Sequence, residues 1–150
     1  MSVNKNKYPL KIISKAGNKY IFDNIRKKNV KLTPEELVRH KFIKFLVENK
    51  NYSANLIGIE QKLPVKDNFF RTDIVIYNRN AKPLMIIECK AENIKITQDT
   101  FEQIAKYNMV FQVEYLVVTN GITNYVCKLD YLSKTYTFLQ DVPFFDDLVK

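Results

Sequence analysis

The 150-residue sequence predicts an α/β fold of the α+β kind: a mixed central β-sheet flanked by helices, with an N-terminal β-hairpin in front of it. Three observations carry this expectation. Short apolar runs of strand length recur between turn residues. Two longer amphipathic segments begin with helix-start chemistry. Residues 115–119 form a continuous apolar run directly after the second helical segment, which fits a strand covered on both faces and laid parallel to an earlier one through a helical crossover.

The elements follow in order. Residues 8–13 and 19–22 are apolar runs separated by Lys15-Ala16-Gly17-Asn18, a hairpin with a loose turn, and Asp23 to Lys31 reads as a polar connector. Thr33 is placed as an N-cap, Pro34 at the first helical position and Glu36 three residues after Thr33, the spacing of a capping box, so a helix is expected to about Glu48. Residues 56–65 and 69–77 read as two strands joined by Lys66-Asp67-Asn68, and Leu84 to Ala91 as a third. A second helix starts at Thr97 or Asp99 and ends near Phe111. Tyr115 to Thr119 is a strand ended by Asn120-Gly121, Asn124 to Leu129 and Thr135 to Leu139 are two more, and Phe144 to Leu148 forms one helical turn.

Composition narrows the function classes. With 46% hydrophobic and 27% charged residues, the chain has the balance of one globular domain. We divide it into a basic hairpin extension (1–31), a core (32–125) and C-terminal strands with a tail (126–150). No apolar run is long enough to span a membrane, and Met1 to Lys7 has no signal-peptide character. Cys89 and Cys127 sit in apolar runs and read as buried free thiols of a cytoplasmic protein. One histidine, without a Cys–His pattern, argues against zinc, and three glycines cannot build a nucleotide loop.

The net charge of +8 is localised. Residues 1–31 hold nine basic side chains against the single acid Asp23, and the remaining residues balance. Lys5, Lys7, Lys11 and Lys15 suit sequence-blind contact with a phosphate backbone. A solvated lysine-rich hairpin kept soluble by its charge reads equally well at this point.

The chemistry signal lies on the third meander strand. Leu84, Ile86, Glu88 and Lys90 alternate onto one face, and Asp73 in the preceding strand can converge on Glu88. Two carboxylates beside a lysine suit a hard divalent cation, magnesium or manganese, that keeps part of its water shell. A structural ion pair between Lys90 and one of the acids is the bland alternative. On the first helix, Glu35 falls within the inward stripe of Val38, Phe42, Phe45 and Leu46, while Glu36 points aside as the capping residue. Favourable charge at a helix N-terminus would also place an acid there. Gln103 and Tyr107 share a face of the second helix and either approach the same site or fill core. Glu60, near the same site by topology, is either a further ligand or a solvent-face acid, and the solvent-face reading is favoured.

Arg71-Thr72-Asp73, then Glu88-Cys89-Lys90, then Gln103 and Tyr107 resemble the PD-(D/E)XK nuclease superfamily. The blocks Thr33 to Arg39, Ile87 to Ala91 and Val117 to Gly121 narrow the resemblance to the N-terminal nuclease domain of type I restriction enzyme R subunits, in a short stand-alone form. The resemblance covers roughly residues 32–125. It implies a restriction-endonuclease-like fold and metal-dependent hydrolysis of DNA phosphodiesters. It further implies Asp73 and Glu88 as Mg2+ (or Mn2+) ligands, Lys90 as the catalytic lysine, Glu35 as the helix-one acid, and Gln103 and Tyr107 as an auxiliary pair. Arg71 joins the N-terminal lysines as a DNA contact. Thr72 stands where the superfamily pattern has proline, and no translocating ATPase follows within this chain, so separate motor or specificity subunits are the implied partners, with a homodimer also open. A nucleic-acid-binding module without turnover, or an interaction subunit of a restriction or repair complex, is the alternative function.

Overall fold

The computed structural model describes residues 7–109 and 111–149, with the backbone alone for residues 65, 70, 107 and 108. The chain opens with a three-stranded antiparallel sheet, β1 (Ile12–Lys15), β2 (Asn18–Asp23) and β3 (Lys28–Lys31). The expected polar connector therefore contains a strand. Asp23 is the reason: its Oδ1 accepts from the main-chain N–H groups of Ile25 and Arg26, closing a tight turn that sends Lys28 back along β2.

Helix α1 (Pro34–Asn49) follows, with Thr33 Oγ1 accepting from Glu36 N at 3.1 Å as the N-cap. After a 3-10 turn, the chain runs through β4 (Ile57–Ile59), β5 (Lys62–Val65), β6 (Asn68–Arg71), β7 (Ile74–Tyr77) and β8 (Pro83–Cys89). Helix α2 (Gln98–Met109), capped by Thr97 Oγ1 on Thr100 N, crosses over to β9 (Tyr115–Thr119), and β10 (Asn124–Asp130), β11 (Thr135–Leu139) and α3 (Phe145–Leu148) complete the chain. The main sheet has the order β11-β10-β9-β8-β7-β4, and β8–β9 is its parallel pair. A parallel pair needs a long crossover, and α2 supplies it. Among the described residues no helix is long and apolar enough to cross a membrane.

Side-chain alternation divides the core in two. Ile74, Ile76, Met85, Ile87 and Val117 face α1 through Val38, Phe42 and Leu46. Val75, Ile86, Leu116, Val118 and Cys127 face α2 through Phe101 and Ala105. All five residues of β9 are buried, as its apolar run requires. One expected face assignment fails: the β7–β8 register slips between Ile76 and Tyr77, and the extra residue, Leu84, turns toward the α1 side, away from Ile86 and Glu88. Cys89 and Cys127 are buried free thiols.

The Thr119-Asn120-Gly121 stop has a clear physical role. Asn120 is 6% exposed; its Nδ2 donates to Ile94 O at 2.9 Å, and its Oδ1 accepts from Ile122 N and Thr123 N. Gly121, at φ +88°, makes the turn that brings β10 back. Lys90 N donates to Thr119 O at 2.8 Å, so this stop also holds the segment that leaves β8. Asn120→Ala is expected to cost about 1–3 kcal/mol through the groups it leaves unmatched; a thermal melt at the wild-type value would show that these bonds contribute nothing.

Candidate active site

The strands 56–65 and 69–77 expected from sequence do form one long hairpin, but it bends. The pairing runs in a single register from Ile57 opposite Ile76 to Val65 opposite Asn68. At the break the register is kept by Glu60 N donating to Asp73 O at 3.0 Å and Thr72 N donating to Gln61 O at 2.9 Å. Glu60 takes φ +52°, and there the outer half, β5–β6, leaves the main sheet. The bend places Glu60 opposite Asp73. On the other side, Ile74 pairs with Ile87, so Asp73 lies beside Glu88.

Asp73 Oδ2 accepts from Cys89 N at 2.8 Å, and its Oδ1 lies 3.5 Å from Arg39 Nη2. The Glu88 carboxyl is pushed up to about 8 by burial, then by the charge of Asp73 and its hydrogen bond; Lys90 opposes this and Glu35 adds to it. Near neutral pH the pair keeps a proton that an arriving cation would displace. Lys90 is half-buried, and its ammonium forms no ion pair among the described residues. The structural ion pair considered for Lys90 is therefore absent there; Asp73 is met by Arg39.

Around Asp73 lies a network that sequence reasoning missed. Arg39 is 2% exposed, with Nη1 2.8 Å from Glu36 and Nη2 3.5 Å from Glu60. Arg26, in the β2–β3 turn, pairs with Asp23, with Glu36 at 3.1 Å and with Glu60 at 3.2 Å. Arg71 reaches Glu60 at 2.6 Å. Glu60 is thus held by three arginines, and its reading as a solvent-face acid is corrected. Burial would raise the Glu36 carboxyl, but the His40 ring beside it and the charges of Arg39 and Arg26 hold it down to about 2. Glu36 is therefore the centre of an ion cluster: its side chain turns to these bases, and its expected capping-box bond is replaced. His40 is fully buried, its Nε2 3.2 Å from Glu36 Oε2 without hydrogen-bond alignment. A signal for Arg39 existed: it falls at the inward spacing of Phe42, Ile43 and Leu46, a cation on an apolar stripe.

Glu35 is exposed rather than aimed into the core; it lines an open cleft of about 410 Å³ with Arg26, Arg39 and Glu60, close enough for its charge to act on Glu88. Gln103 is exposed on α2 and makes no hydrogen bond to Lys90, while the Tyr107 side chain falls outside the described part. Lys7, Lys11, Lys15 and Arg71 are exposed, and Lys5 lies outside the described residues. Among the described residues no three His, Cys, Asp or Glu side chains form a ready metal cage. Asp73 and Glu88 alone offer two oxygen-donor groups, which fits a magnesium-type ion that retains water and gains further ligands from a phosphate.

Residues 34–143 match the family model described as type I restriction enzyme R protein N terminus (HSDR_N). The fold is similar to a fragment structure described as that of an HsdR subunit of a type I restriction enzyme from Vibrio vulnificus YJ016, with a TM-score of 0.54 and 20% identity over 79% of this chain. This chain spans 25% of that one. No curated protein matches this chain.

Two outcomes follow from the charges. Glu88 binds its proton more tightly when folded than when unfolded, so the stability this lends is full below about pH 4.5 and is lost as pH rises toward 8. Melts in a chelator should show this decline, and Glu88→Gln should flatten it; an equal decline in both proteins would assign it elsewhere. Glu36→Ala leaves the buried Arg39 and the half-buried Arg26 poorly matched and should cost on the order of 3 kcal/mol, more than the loss of a cap. A melt within about 1 kcal/mol of wild type would remove Glu36 from the centre of the network.

Proposed function

Since the chain belongs to the family of type I restriction enzyme R protein N termini, we propose that it is a nuclease domain that hydrolyses DNA phosphodiester bonds with Mg2+ (or Mn2+). The observation that carries this reading is the half-buried Asp73–Glu88 pair at the bend, with a lysine beside it that has no ion pair among the described residues. Such a pair is unfavourable by itself and is relieved by a divalent cation.

Asp73 and Glu88 would hold the ion, which when bound neutralises phosphate charge and lowers the pKa of water. Arg39 and Cys89 N keep Asp73 in place, and each of its oxygens retains a lone pair for the ion. Lys90 Nζ, without a carboxylate partner among the described residues, would bond the attacking water or the phosphate oxygen that gains charge in the transition state. Glu35 at the cleft rim, and Gln103 and Tyr107 on α2, act as auxiliary groups that settle on substrate. Lys5, Lys7, Lys11, Lys15 and Arg71 supply backbone contacts. Arg26 supports this arrangement, because it ties the turn of the basic sheet to Glu36 and Glu60. Other subunits of a restriction complex would be its partners in the cytoplasm, with a homodimer as a further mode of assembly.

Calorimetry with manganese should show binding to the wild type and its loss in Asp73→Asn; equal binding would remove Asp73 from the site. Lys90→Ala should retain DNA affinity and lose at least about a hundredfold in cleavage, since its contribution is made to the transition state. Plasmid and oligonucleotide assays with either metal decide this, and tight binding without cleavage by the wild type would favour a binding module. Replacing Lys5, Lys7, Lys11 and Lys15 with alanine should flatten the salt dependence of binding by roughly 0.9 log units per lost phosphate contact.

A further inference from the structure

Apart from Arg71, the arm formed by β5 and β6 has no role in the site chemistry, and its surface is unusual. The register pairs Lys62 with Arg71 and Pro64 with Phe69, so these four residues share one face of the ribbon. All four are exposed, and Phe69 is 70% exposed. Lys66 in the tip turn is exposed as well, and Asp67 is the arm's single acid. From the other face Leu63 is buried against the α2-side core with Val75 and Ile86, which fixes the ribbon's orientation. At its base the arm is held by Arg71 on Glu60, the residue that Arg26 and Arg39 also bind.

An exposed aromatic ring surrounded by cations does not suit solvent or an apolar partner; it suits a polyanion with aromatic faces or methyl groups behind its charge. We propose that the β5–β6 arm is a two-stranded ribbon that enters a groove of duplex DNA beside the metal site, with Phe69 against the bases and Lys62 and Lys66 on the flanking phosphates. This rests on the nuclease reading and adds how the duplex is held. The dimensions agree. Four residue pairs at about 3.3 Å each extend about 13 Å, and the major groove is about 8.5 Å deep and wide enough for a two-stranded ribbon. Because the arm bends away at Glu60 and Asp73, a duplex seated on it brings its backbone to the carboxylates at the arm's root.

The two kinds of contact differ in their salt response, which gives the test. Binding of the full chain to a duplex of about 20 base pairs is measured in chelator at several salt concentrations, for wild type, Phe69→Ala and the double variant Lys62→Ala with Lys66→Ala. Phe69→Ala is expected to weaken binding roughly ten- to a hundredfold, through lost apolar contact with base edges and methyl groups, with an unchanged salt slope. The lysine variant is expected to reduce the slope by roughly 0.9 per lysine. Each substituted side chain is exposed, and melting curves check that the fold is retained. Wild-type affinity and slope in both variants would overturn the arm as a DNA element, leave the nuclease reading standing, and assign Phe69 to a protein partner. Failure of the wild type to bind duplex DNA would overturn both readings.

Discussion

A guanidinium in a protein interior has to be met by carboxylates, and Arg39 is 2% exposed. Its need is answered from three separate parts of the chain: Glu36 one helical turn back, Glu60 at the bend of the long hairpin and Asp73 at the start of β7. The same carboxylates recruit Arg26 from the N-terminal sheet and Arg71 from the arm. Helix, basic sheet, arm and main sheet therefore meet at one ionic cluster next to the candidate metal ligands. The site is arranged by charge compensation, while the apolar layers on either side of the sheet determine where that compensation takes place.

The two acids that matter most stand in opposite electrostatic surroundings. Glu36 has cations on every side and remains ionised far into acid. Glu88 has Asp73 next to it and a buried setting, and it holds its proton. Burial raises both carboxyls, but His40, Arg39 and Arg26 lie against Glu36 while Asp73 lies against Glu88, and Arg39 reaches Glu36 and Asp73 directly. Arg39 thus stabilises one carboxylate of the pair and leaves the second in need of a cation.

Much of this was legible in the amino-acid order. The strand 115–119, the helix start at Thr33-Pro34 and the meander carrying Asp73 and Glu88 rest on local patterning, and the structure reproduces them. The third N-terminal strand was not legible, because it depends on the Asp23 side chain capturing two backbone N–H groups and not on apolar alternation. The bulge that turns Leu84 was missed for a similar reason: a one-residue slip leaves the periodic signal almost intact. Glu60 was misread because an acid in a strand pattern looks the same whether it faces water or three arginines. That distinction exists only once the N-terminal turn and the arm are folded against it.

The bend at Glu60 also bears on self-association. An extended sheet edge offers unpaired N–H and carbonyl groups to any passing strand and is a common seed of aggregation. Here the outermost strand on that side, β4, is only three residues long, and the chain beyond it leaves the sheet to pair in a separate two-stranded ribbon. A neighbouring molecule therefore finds too short a ladder to extend. A deformation that shapes the candidate active site also acts as negative selection against edge-to-edge stacking, so straightening the hairpin would endanger solubility as well as chemistry.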